Sequence, residues 1–81
     1  MKKKINEMVT FETITTKQLG AKIKKLREGF GFTQVQTAKK AGISVSSFRR
    51  IENAKCIAKV IMLFGISKAL KIKLSDLLSN K

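Results

Sequence analysis

Arg49 and Arg50, near the end of the run Ser44-Val45-Ser46-Ser47-Phe48-Arg49-Arg50-Ile51-Glu52, carry the most pointed chemistry in this sequence. A guanidinium is an always-charged planar fork of donors, suited to paired acceptors such as phosphate oxygens or the O6/N7 edge of guanine. Arg50 lies about one helical turn beyond Val45 and Ser46, so a helix here turns Val45, Ser46, Arg49 and Arg50 away from the apolar pair Phe48 and Ile51. A valine methyl can read the thymine methyl, serine tolerates several bases, and a bidentate arginine–guanine contact gives about 1–3 kcal/mol of discrimination. These four residues are the candidate base contacts. Arg50 is the best able to specify, and Arg49 can either read a base or grip the backbone.

Such side chains need a stiff, sharply turned support, and the preceding residues supply one. Thr33 and Gln36 stand in capping-box spacing, so a helix starts at about Thr33, with Val35, Ala38 and Ala41 as a narrow apolar stripe. Gly42 ends it, because glycine enters the left-handed conformation that closes a helix without a side-chain clash. Ile43 follows as a buried hinge residue, and Ser44 is the N-cap candidate of the next helix. Two short helices hinged on Ala41-Gly42-Ile43 make a helix-turn-helix.

Eighteen Lys and Arg against five acids leave a net charge of +13, which favours a polyanionic partner. With no histidine the chain lacks the usual neutral-pH acid–base group, so no catalytic residue, cofactor or metal site is assigned. Cys56 has no partner for an internal disulfide, which fits a reducing, cytoplasmic setting; it is either a thiol activated by its neighbours Lys55 and Lys59 or, the reading preferred, a small semi-buried residue. No apolar run has the length of a membrane span, and the opening MKKK has no apolar core behind it to make a signal peptide.

The chain divides into residues 1–15, a basic arm with a possible strand, and residues 16–81, a helical DNA-binding domain. MVTFETIT, residues 8–15, alternates in part and is rich in strand formers. It could pair with the same segment of a second copy, or lie as coil packed by Phe11 and Ile14 on its own domain. Lys2, Lys3 and Lys4 are either a DNA-reaching arm or a solvated run. Thr15 and Gln18 form another capping box and open a first helix with a Leu19, Ile23, Leu26 stripe, closed by glycine at 29 and 31. A fourth helix is expected from about Ala58 to Leu70. Its apolar residues Val60, Ile61, Leu63, Phe64, Ile66 and Leu70 are spread too widely for one core stripe, so a partner should cover part of them. Gly65 within it costs about 1 kcal/mol relative to alanine unless it permits close packing. Leu74, Leu77 and Leu78 belong to a short final helix.

Gln34, Ala38, Gly42, Ser44, Ile51 and Glu52, with Leu26-Arg27 upstream and Ala69-Leu70 downstream, resemble the lambda-repressor/Cro-type (XRE-like) helix-turn-helix family, in unbroken register from about Leu19 to Leu78. The resemblance implies an all-α, compact five-helix lambda-repressor-like DNA-binding domain with a helix-turn-helix and a short N-terminal arm or strand. It departs from the pattern at Thr37 and Ala41, where leucine is common, and at Ala54, where glycine is; the three phenylalanines at 30, 32 and 48 are expected to offset looser packing.

The resemblance also implies site roles. Gln34 either bonds a phosphate or braces a side chain of the third helix; Ser44 caps that helix and can donate to phosphate; Asn53 and Lys55 meet phosphate in the loop after it. Arg27 pairs with Glu52, as a surface pair worth about 0–1 kcal/mol, or also meets phosphate. Gln34, Ser44, Asn53, Lys55 and Arg27 are therefore the candidate backbone contacts. The function expected is a sequence-specific double-stranded DNA-binding regulator, a homodimeric repressor at an inverted repeat, plausibly on its own promoter, with phage-like and restriction-modification controllers as the resembling types. The alternatives are an antitoxin that also binds a toxin, and a small basic RNA-binding protein. The latter is disfavoured by the absence of Tyr and Trp and by phenylalanines that match core positions.

Overall fold

The computed structural model describes residues 14–79. Five helices follow in order: α1, Thr16–Phe30; α2, Gln34–Ala41; α3, Val45–Glu52; α4, Val60–Ala69; and α5, Leu74–Leu77. No strand occurs among the described residues. The segment read as a possible strand, apart from Ile14 and Thr15, lies outside them. Ile14 is buried and Thr15 caps α1, so both are part of the helical body.

Local chemistry sets the helix ends. Thr15 and Thr33 each accept from the backbone N–H three residues on, and Gln18 and Gln36 return the bond to the capping residue's own N–H, so both capping boxes form. Gly31 and Gly42 close α1 and α2 at φ +75°, and each is followed by an amide that bonds back to the last turn: Phe32 to Arg27 O at 3.1 Å and Ile43 to Ala38 O at 3.0 Å. The same closure ends α3 and α4, with Ala54 at φ 57° and Lys71 at φ 54° in place of glycine. α4 begins at Val60, two residues later than expected, because Lys59 takes the extended capping conformation without a side-chain cap.

The core is Ile14, Leu19, Ile23, Ala38, Phe48, Ile51, Leu63, Ile66, Leu70 and Leu77. Two crossings bring the helices unusually close. A Cβ on Gly20 of α1 would lie 2.4 Å from the Glu52 carbonyl oxygen, and one on Gly65 of α4 would lie 2.2 Å from that of Ala41. Gly65 is thus the close-packing glycine that its position in a helix demanded. Thr37, unlike the leucine common in resembling sequences, is fully buried and satisfies its hydroxyl by donating to Thr33 O at 3.0 Å.

Three expectations need correction. Val35 is 55% exposed and does not share the core stripe with Ala38, since the short α2 turns it outward. Ile43 is half-buried rather than buried. Phe30 and Phe64 are exposed, leaving Phe48 as the fully buried phenylalanine among the described residues; Phe30 stacks on half-buried Phe32 with ring centroids 5.2 Å apart. No described helix is long and apolar enough to cross a membrane.

Candidate nucleic-acid interface

α3 is built to bury one face and present the other. Ser44 caps it, accepting from the Ser47 N–H at 3.1 Å while its hydroxyl donates to the Ser47 hydroxyl at 2.9 Å. Phe48 and Ile51 are sealed in the core, and Val45 packs half-buried against it. Ser46, Arg49 and Arg50 are exposed. Val45 therefore offers only part of its side chain outward, while the other three candidate base contacts stand free of the core.

A buried polar chain fixes this helix in place. Glu52, at its end, has a side chain only 1% exposed. Arg27 of α1 grips it with both arms of the fork: Nε donates to Oε2 at 2.6 Å and Nη2 to Oε1 at 3.3 Å, while Nη1 donates to Phe32 O at 2.9 Å. The pair expected at the surface is in fact interior, so its worth is not that of an exposed ion pair. Removal of either partner would strand a buried charge. With its nitrogens engaged and the residue 9% exposed, Arg27 acts in the free protein as a positioning residue.

Gln34 extends the chain to the surface. Its amide nitrogen donates to Glu52 Oε1 at 2.9 Å and its carbonyl oxygen accepts from Arg49 Nε at 3.1 Å. The bracing role left open for this glutamine is the one built here, and it joins the start of α2 to the last turn of α3. Arg49 is consequently tethered through one nitrogen. No residue hydrogen bonds the Arg50 guanidinium among those described. The two arginines, indistinguishable in type, therefore differ in freedom.

Asn53 and Lys55 follow α3 as exposed residues, their backbone amides tied to Arg49 O at 2.9 Å and Arg50 O at 2.8 Å. Their side chains point from a loop fixed by its backbone, next to the arginines. Lys39 and Lys40 at the end of α2 add positive charge, with Lys40 held 5.0 Å above the Phe32 ring. Sequence reasoning missed two contributors. Gly20 lets α1 settle on the α3 backbone, and the Gln34–Arg49 bond spans fifteen residues, a separation without periodic signal.

Comparison with known proteins points the same way. The family model HTH_3, helix-turn-helix, matches residues 23–77. Among solved structures, the restriction-modification controller protein C.AhdI from Aeromonas hydrophila superposes with a TM-score of 0.75 at 21% identity, over 78% of this chain and 96% of that one. The P22 c2 repressor, solved with a synthetic operator, gives 0.72 at 24% identity over 78% and 96%. The biofilm master regulator SinR, solved in complex with DNA, gives 0.67 at 28% identity over 73% and 95%. No curated protein sequence matches.

Proposed function

The chain belongs to HTH_3, the helix-turn-helix family of lambda-repressor/Cro type, a family of DNA-binding transcription regulators, and from that premise we propose that it is a homodimeric repressor acting at an inverted-repeat operator, with its own promoter as the candidate site. The observation that carries this reading is the division of labour on α3: a sealed apolar face, an anchored Arg49 and an exposed Arg50 that no described residue hydrogen bonds. In the proposed complex Arg50 takes guanine O6 and N7, and Ser46 and the exposed part of Val45 face neighbouring bases. Arg49, Ser44, Gln34, Asn53 and Lys55 engage phosphates, which set register without reading sequence. Arg27 contributes through Glu52, by holding α3 at its angle.

The dimer is supported by α4. Ile57, in the loop before the helix, and Val60, Ile61 and Phe64 on its first turns are 87, 71, 77 and 51% exposed. Together they leave on the order of 500 Å² of apolar surface per copy, and a symmetric pair would bury about 1,000 Å², the lower bound for a specific interface. Two α3 helices held roughly 34 Å apart would read half-sites one turn apart on one side of the duplex. Bound there, the dimer represses by occupancy, excluding polymerase without any chemical step.

Selection from a random duplex library, with the winner compared against scrambled duplex at two salt concentrations, tests the reading. An inverted repeat that keeps its advantage at the higher salt is the expected result. Enrichment without a motif, or a stronger preference for RNA, would overturn it. Sedimentation of Ile61→Glu should give a monomer with unchanged helix content; a dimer that survives this change would place the interface elsewhere.

A further inference from the structure

Along α1 runs an open apolar groove of about 690 Å³, lined by Ala21, Leu26, Gly29 and Phe30 together with Lys22 and Lys25. Gly20, buried against the α3 backbone, marks another face of the same helix, so the groove lies off the crossing that positions α3. Lys22 serves the fold, its ammonium donating to the carbonyls of Asp76 and, at 2.9 Å, Ser79. Lys25 is exposed, and no described residue hydrogen bonds its ammonium. Gly29 is not required by the domain's own packing. Glycine within a helix is disfavoured against alanine, yet here its backbone is not left-handed and an added Cβ would meet nothing within 4 Å. Neither a turn nor a close approach inside the domain calls for it, whereas a body approaching from outside would.

We propose that this groove docks an acidic amphipathic helix of a partner protein, laid along α1 with its apolar stripe on Ala21, Leu26 and Phe30 and its carboxylates toward Lys25. The shape suits a helix. From Gln18 to Phe30 α1 rises about 18 Å, enough for anchors at helical i, i+3, i+4 and i+7 spacing, and Ala21 and Gly29 keep the surface low enough for a second helix axis to settle about 8–10 Å away. The charge requires acids on the occupant, because the ionisable groups lining the groove are two lysines in a chain of net charge +13. A second copy of the chain lacks that chemistry: the acids among the described residues are Glu28, Glu52 and Asp76, and Glu52 is sealed inside. Because the groove lies off the α3 crossing, the occupant and a duplex can be held at once. The site adds a protein partner to the DNA reading and does not rest on it.

Methyl NMR of the full chain, titrated with a synthetic helical peptide of about fourteen residues that carries leucines at i, i+3, i+4 and i+7 spacing and glutamates on the flanks, tests the site. The Ala21 and Leu26 methyl signals are expected to shift to saturation while those of Ile61 stay in place, and exchanging the glutamates for lysines should weaken binding about tenfold or more. Gly29→Gln fills the open space with a better helix former, so it should hold Tm or raise it by up to about 4 °C and still cut affinity for the acidic peptide about tenfold, a combination that a role in folding would not produce. Lys25→Glu should weaken the acidic peptide and favour its lysine counterpart. Unmoved Ala21 and Leu26 signals, shifts at Ile61 instead, or equal binding of the two peptides overturn the proposal. So do signals that move with chain concentration alone, which would make a second copy the occupant, and contacts from residues 1–13 to the Ala21 methyl in the free chain. Duplex selection is read separately, so failure of the proposed function would leave this readout intact.

Discussion

The α1–α3 and α2–α4 crossings use the same device and surround it differently. In each, a glycine on one helix meets a backbone carbonyl of the other, Gly20 against Glu52 and Gly65 against Ala41. Beside Gly20 stands a polar chain, buried at Arg27 and Glu52 and reaching the surface through Gln34 to Arg49; beside Gly65 lie Leu63 and Ile66 in the apolar core. Apolar packing is non-directional and tolerates sliding, whereas a two-pronged arginine–carboxylate bond fixes an angle. The fold spends its directional contacts on the helix whose outer face carries Ser46, Arg49 and Arg50.

Breaking the polar chain should produce the largest effect. Glu52→Ala leaves Arg27 charged in an interior site and removes the acceptor of Gln34, for an expected loss of about 3–5 kcal/mol in urea unfolding. Arg27→Met with Glu52→Leu, which removes both charges at similar volume, should recover most of that stability. If the polar chain serves orientation, the double variant will still bind operator weakly. Wild-type affinity in a stable double variant would show that packing alone orients α3.

The two glycines sharpen the same contrast. Alanine at either should lose about 1–3 kcal/mol through overpacking, a cost reduced but not cancelled by the roughly 1 kcal/mol that alanine gains in helix propensity. Their consequences for DNA should separate. Gly20→Ala pushes on the end of α3 and should weaken operator binding beyond its effect on folding, measured at a temperature where both variants are fully folded. Gly65→Ala pushes on the end of α2 and should act mainly on Tm. Equal loss of affinity in both would mean that the two crossings position the reading helix alike.

How far the sequence discloses this arrangement depends on the range of each signal. Capping boxes at Thr15/Gln18 and Thr33/Gln36, the Gly42 corner and the Leu19, Ile23 face are written within one or two turns, and all stand as expected. The burial of the Arg27–Glu52 pair was not legible, because both residue types usually sit at the surface and only the close approach at Gly20 draws them inward. Val35 misled for the opposite reason. On a helix of eight residues, spacing alone cannot say which side meets α4.

Within the exposed face, Arg49 and Arg50 offer a finer comparison. Arg50→Ala should cost about 1–3 kcal/mol of discrimination at one base-pair position and relax preference there. Gln34→Ala frees Arg49 and should weaken specific and scrambled duplexes together, with a shallower salt dependence. Matching losses of specificity in the two variants would reverse the assignment of Arg50 as reader and Arg49 as backbone grip.

The smallest effect tests the loop that carries Asn53 and Lys55. Ala54 holds φ 57°, a conformation that a side chain disfavours by about 1–2 kcal/mol, while glycine adopts it at an entropic cost of about 0.5–1 kcal/mol in the unfolded chain. Ala54→Gly should therefore stabilise by up to about 1 kcal/mol, keep the bond from the Lys55 amide to Arg50 O, and leave operator affinity unchanged. A gain in stability accompanied by lost affinity would mean that the alanine itself, and not only the backbone turn, sets the loop against the duplex.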